Sequence, residues 1–268
     1  MKKKILLVLL AVALAASTCS LCSCMKGKDN STNTNTVGES PVTDGNGAEA
    51  SKPEKGNNPN MAKYHYDAFD YWLCVPDVPN EDLPLIVYLH DSSDGGSGID
   101  GMIQKDGLTK SLYENNLHVN AYVLIPNLSG AGSSWYDARS KLQDLISYVT
   151  SANRTDASKV YLTGVGKGAT GVYEIAMAIP NAFAAFAPIG GNAPRITDVE
   201  KLKDVKLLAY VSVDIEDTEA ASVMDFMFEL GKINTRVEIF ALENYNHSSY
   251  VNLYSDMEQN PLQTLISH

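Results

Sequence analysis

Cysteine is scarce where a crosslink or a metal would need it. The chain carries four cysteines, and three of them, Cys19, Cys22 and Cys24, fall in its first stretch. Cys74 stands alone in the rest, which excludes an internal disulfide framework and a multi-thiolate zinc site there. Long apolar runs are missing as well. After residues 5–16, no stretch approaches the roughly 20 apolar residues that a spanning helix needs. Basic residues are in deficit, 21 Lys and Arg against 32 Asp and Glu, for a formal charge of −11. That balance works against nucleic acid and anionic lipid as partners and otherwise serves solubility. No internal repeat is present. The folded part must therefore be held by its apolar core.

The chain opens on Lys2, Lys3 and Lys4 followed by the apolar run 5–16. This is the pattern of a secretory signal. It ends in Leu21-Cys22-Ser23-Cys24, which resembles a bacterial lipobox. The resemblance implies cleavage after residue 23 and lipidation of Cys24, and so an extracytoplasmic protein held on the bacterial cell membrane by its lipid alone. Removing a leader with three lysines and no acid takes the charge to near −14. Residues 24–60 are rich in Ser, Thr, Asn, Gly, Pro and Lys and have no aromatic residue. They read as a flexible tether reaching about 30–35 Å. The remaining 61–268, roughly 205 residues, suit one domain with a sizeable core.

Within that domain, strand and helix signals alternate. Residues 64–75 read as a strand or hairpin arm rich in aromatic and β-branched side chains. Residues 83–90 form a continuous apolar strand that runs into a Gly/Ser loop. Residues 108–115 read as a modest helix and 119–126 as a buried strand. The spacing of Leu142, Leu145, Ile146 and Val149 gives a helix over 137–152. Residues 160–165 are a strand, and 168–179 a helix with Val172, Ile175, Ala176 and Ile179 on one face. Strands over 183–189, 205–213 and 237–242 follow, with a helix over 220–230 and a final segment over 248–265. The alternation predicts an α/β class: a doubly wound, mostly parallel sheet with its crevice at the carboxyl ends of the strands.

One unit organises the rest. Residues 160–165 lead into Gly164-Val165-Gly166-Lys167-Gly168 and then a helix. A strand–G-x-S-x-G–helix unit is a nucleophile elbow, in which a tight turn lifts a serine above the sheet edge. Both flanking glycines are present, but Gly166 stands in the serine's place. Four local patterns carry a family resemblance over roughly residues 64–260. Tyr71-Trp72-Leu73-Cys74-Val75-Pro76 resembles an opening strand of the form Y-x-L-x-x-P. Leu89-His90 before the Gly/Ser loop resembles an L-H-G oxyanion strand. Residues 156–164 resemble the lead into the elbow, and Ala182-Phe183-Ala184-Ala185-Phe186-Ala187-Pro188 with Gly190-Gly191 resembles the strand after it. Together they are similar to the esterase branch of the α/β-hydrolases, the polyhydroxybutyrate-depolymerase-like and feruloyl-esterase-like proteins.

The resemblance implies site residues. In this fold the triad runs Ser, then Asp or Glu, then His. Gly166 takes the nucleophile position, Glu216 the acid, with Asp214 and Asp217 as alternatives, and His247 the base. The oxyanion donors fall on the backbone N–H groups of Lys167 and of Ser92, in the loop after His90. Asp91 occupies a position where the family has glycine, and a carboxylate is a poor neighbour for a developing negative charge. Trp135, Tyr136 and His90 fall around the ligand pocket, with loop-to-core packing as the alternative for Trp135 and Tyr136, and a structural place in the oxyanion strand for His90. No cofactor or metal is implied. Without a hydroxyl at residue 166 no acyl-enzyme forms and His247 has no proton to take. The expectation is a catalytically silent domain that binds a small ester, acylated sugar or peptide. Two alternatives stay open: hydrolysis by a water held between His247 and Glu216 or by a displaced serine, and a surface scaffold or assembly protein in which the cleft plays no part.

Overall fold

The structure is a computed structural model describing residues 54–55, 57–77, 82–91, 98–105, 107–129, 131–213, 218–243, 245–246, 249–256 and 258–267. The leader, Cys24 and most of the expected tether lie outside these residues.

Among the described residues, nine strands form one sheet: β1 (Glu54–Lys55), β2 (Met61–Tyr66), β3 (Phe69–Cys74), β4 (Leu83–Leu89), β5 (Tyr122–Pro126), β6 (Thr155–Val165), β7 (Ala185–Ile189), β8 (Leu207–Ser212) and β9 (Val237–Leu242). Their order is β1-β2-β3-β5-β4-β6-β7-β8-β9. Pairs β1/β2, β2/β3 and β3/β5 are antiparallel, and all pairs from β5 through β4 to β9 are parallel. The mostly parallel sheet expected from the alternating pattern is what the chain forms.

β4 shows why. All seven of its residues are buried, as a central strand covered on both faces requires. Alternate side chains leave for opposite faces. Leu85, Val87 and Leu89 enter one core with helices α3 (Arg139–Ala152), α4 (Lys167–Ala178) and α5 (Thr218–Leu230). Ile86 and Tyr88 enter a second core with α1 (Gly98–Lys105), α2 (Gly107–Tyr113), the 3-10 turn Tyr250–Ser255 and α6 (Pro261–Ile266). The result is three layers, with helices on both faces of the sheet.

Three differences from the sequence reading have local causes. α1 was hidden by Gly98 and Gly101, weak helix formers that interrupt a pattern carried only by the buried Ile99 and Met102. β6 begins at Thr155, five residues early, because Thr155 pairs with Leu83 while Asp156, Ala157 and Ser158 hold exposed or half-exposed positions that show no apolar pattern. The fold also reaches back into the stretch read as tether. β1 pairs with β2, and Asn58, 3% exposed, donates from Nδ2 to the Leu112 carbonyl at 2.8 Å.

The elbow strand is fastened to the far layer by one buried polar contact. Thr163 Oγ1 donates to the Ala187 carbonyl at 2.7 Å and lies 2.8 Å from the Tyr254 hydroxyl. A threonine hydroxyl has one proton, so Tyr254 is the donor in the second bond.

Candidate active site

β6 delivers the chain to the carboxyl edge of the sheet, where it turns through Gly166 into α4. Gly166 has φ 56° and ψ −117°, a backbone region that residues with a β-carbon rarely occupy. The bend therefore keeps the geometry of an elbow that presents its apical residue above the sheet. A serine in this conformation would carry strain of about 1–3 kcal/mol, which glycine avoids.

The flanking glycines are demanded by close approach. A β-carbon at residue 168 would lie 1.9 Å from the Leu89 carbonyl oxygen, and one at residue 164 would lie 2.7 Å from that same oxygen. Helix α4 is thus seated directly on the end of β4. Opposite it, the turn after β7 curls in through Gly190 and Gly191, both at positive φ. The Gly166 N–H donates to the Ile189 carbonyl at 3.3 Å.

Above the bend lies a carboxylate from the protein itself. A β-carbon built at residue 166 would meet Asp91 Cγ and Oδ1 at 2.9 Å and Oδ2 at 3.2 Å, and these are its three nearest neighbours. Asp91 Oδ1 accepts from the Lys167 N–H at 2.9 Å. That N–H is the oxyanion donor expected from the motif, and here a side chain already uses it. The sequence flagged Asp91 by residue type; only the coordinates give the direction of its carboxylate.

A hydrogen-bonded frame holds Asp91 in place. The Leu128 N–H donates to His90 Nε2 at 3.1 Å. A backbone amide can only donate, so Nε2 is the acceptor and the ring proton sits on Nδ1. Nδ1–H then donates to the Asp91 carbonyl at 2.6 Å. Trp135 Nε1 donates to the His90 carbonyl at 3.0 Å, and the two rings meet edge to face at 5.1 Å. His90 and Trp135 are 1% and 3% exposed. Both are buried parts of the frame that holds Asp91. Tyr136 is on the surface. It lines a hollow of about 270 Å³ with Glu174, Met177, Arg195 and Lys201. Glu174 lies eight residues along from Gly166, about 12 Å by helical rise. Burial, and then the Asp137 carboxylate, raise the Glu174 carboxyl above its usual range.

Four hydroxyls near the bend in sequence, those of Ser133, Ser134, Thr163 and Thr170, have other partners. Ser133 and Ser134 both donate to Asp137 Oδ2, holding that carboxyl below its usual range. Thr170 Oγ1 accepts from the Asn192 N–H at 2.9 Å. Thr163 is fully buried in the contact described above. Cys74 offers no thiolate. Burial, and then the nearby Asp77 carboxylate, push its thiol up to about 11.

Glu216, Asp214, Asp217, His247 and Ser92 lie outside the described residues. What is described are the strand ends that lead to them. Ser212 of β8 pairs with Leu242 of β9, both on the edge where β6 delivers Gly166. Ser212 Oγ donates to the Tyr245 carbonyl at 2.8 Å. A residue four before Glu216 thus touches a residue two before His247.

No protein-family sequence model matches the chain, and no curated protein sequence matches it. Solved structures do. A thermostable esterase superposes with a TM-score of 0.64 at 19% identity, over 79% of this chain and 63% of that one. This chain therefore spans less than two thirds of that esterase. An S-formylglutathione hydrolase from Agrobacterium tumefaciens gives 0.59 at 12% identity, over 81% of this chain and 98% of that one. The feruloyl esterase module from Clostridium thermocellum, complexed with sinapinate, gives 0.54 at 12% identity, over 78% and 88%. At such identities the likeness establishes the fold, and the fold is that of the α/β-hydrolases.

Proposed function

We propose that this chain is an exported lipoprotein, anchored through Cys24, whose α/β-hydrolase domain binds a small ester, acylated sugar or peptide without hydrolysing it by the serine route. One observation carries the reading. The apex of an intact elbow is Gly166, and the nearest side-chain atoms above it belong to a carboxylate. An acyl-enzyme needs an activated hydroxyl at that place. Glycine supplies none, and the neighbouring hydroxyls are engaged elsewhere. The ligand class is chosen in keeping with the structural neighbours, among them a thermostable esterase, an S-formylglutathione hydrolase and a feruloyl esterase module complexed with sinapinate.

A second reading has its own support. Ser212, four residues before Glu216, touches Tyr245, two residues before His247. A water held by Glu216 and His247 could attack a reactive ester, with general-base help of about 10²–10⁴-fold. Turnover of p-nitrophenyl acetate separates the two. The first reading expects wild type and His247→Ala to match the buffer rate. Hydrolysis in the wild type that disappears in His247→Ala would select the second.

A further inference from the structure

In a serine esterase the oxygen of the reacting acyl group sits about 2.7–3.1 Å from the oxyanion N–H. It also lies close to the β-carbon of the nucleophile, one bond beyond the attacking oxygen. Asp91 Oδ1 meets both conditions, 2.9 Å from the Lys167 nitrogen and 2.9 Å from a β-carbon at residue 166. Its Cγ, at 2.9 Å from the same point, lies where an acyl carbon would approach. We infer that Asp91 is an internal occupant of the acyl-oxygen subsite, a carboxyl group of the chain held where a substrate's acyl group would otherwise bind. The inference rests on the reading of the bend as a disarmed elbow and deepens it. The site is closed to ester hydrolysis twice, by the missing hydroxyl and by the filled acyl-oxygen subsite, and an ester bound in the cleft keeps its carbonyl outside that subsite.

Three physical effects make the second closure independent of the first. The Lys167 N–H already has its acceptor, so it has none to give a second oxyanion. A fixed negative charge faces the place where negative charge would develop in the transition state. A new side chain at residue 166 would press on the carboxylate, because a β-carbon at 2.9 Å needs a neighbour to move. The contact also gives the carboxylate a structural role. It caps the first turn of α4, where a negative group on a free N–H is favourable. The frame from Leu128 through His90 holds the Asp91 backbone in register for this contact.

The consequence is that restoring the serine alone does not restore the site. The test uses four full-chain proteins: wild type, Gly166→Ser, Asp91→Gly and the double variant Gly166→Ser/Asp91→Gly. Each is treated with a biotinylated fluorophosphonate, and its fold is checked by circular dichroism. The expected result is labelling of the double variant, labelling of Gly166→Ser slower by on the order of 10²-fold, the usual cost of one oxyanion donor, and none of the wild type or Asp91→Gly. Equal labelling of Gly166→Ser and the double variant, including none in either, overturns the inference. Labelling of the wild type strikes instead at the silent-site reading, and the amide signal described next then decides the inference on its own. In ¹⁵N-lysine-labelled protein the Lys167 amide proton should exchange with solvent more slowly in the wild type than in Asp91→Gly, because the carboxylate accepts from it. Equal exchange of the Lys167 amide in the wild type and Asp91→Gly overturns the inference whether or not the double variant folds.

Discussion

Gly168→Ala should cost about 3 kcal/mol, at the upper end of what overpacking does to a core. In a domain of this size that lowers the melting temperature by about 6–12 °C. The size of the effect follows from what the new methyl meets. Its nearest neighbours are the Leu89 carbonyl oxygen at 1.9 Å, the Leu89 carbonyl carbon at 2.6 Å and the His90 carbonyl oxygen at 2.9 Å. All three are backbone atoms at the end of the central strand, so no rotamer change relieves the contact. Either α4 lifts off β4 or the strand end moves, and Asp91 follows directly after that strand end. The same substitution should therefore loosen the Asp91–Lys167 contact. Thermal melting followed by circular dichroism measures the change. An unshifted midpoint would mean that the helix is not seated on the strand as described.

Trp135→Ala should be comparably damaging, about 3–5 kcal/mol by analogy with other buried aromatic truncations. The indole is 3% exposed and donates to the His90 carbonyl. Its β-carbon sits so close to α4 that a β-carbon at Gly171 would come within 2.5 Å of it. The side chain thus fills the space between the loop after β5, the end of β4 and α4. Removing it opens a cavity and leaves the His90 carbonyl without this donor. The stability loss separates two roles for the residue. A pocket wall would lose ligand affinity with little change in melting temperature. A packing residue loses melting temperature by about 6–20 °C with or without ligand, and that is the expected result.

Much of this could be read from the sequence because the physics is local. A run such as Leu85-Ile86-Val87-Tyr88-Leu89 has no arrangement other than burial on both faces, and the spacing of Gly164 and Gly168 encodes a helix packed tightly on a strand. The 1.9 Å approach to Leu89 is the reason glycine stands at residue 168. The layers were therefore legible, and so was the position of the bend. Side-chain direction was not. Asp91 and Trp135 both stood out by type and place. Whether the carboxylate pointed into the subsite or to solvent depends on the His90 frame, which joins residues 38 and 45 apart. Aromatic residues adjacent in sequence, Trp135 and Tyr136, went to opposite fates for the same reason. The first turned into the core, while the second lines a hollow about 12 Å along the helix. α1 was lost to its glycines, which weaken the helical signal without preventing the helix.

The central claim is that the bend carries no group able to attack an acyl carbon. Intact-mass analysis of the wild-type protein after exposure to excess fluorophosphonate tests it most directly. The spectrum should be unchanged from that of the untreated protein. A mass increase of one probe per chain, mapped to any serine or threonine, would contradict it.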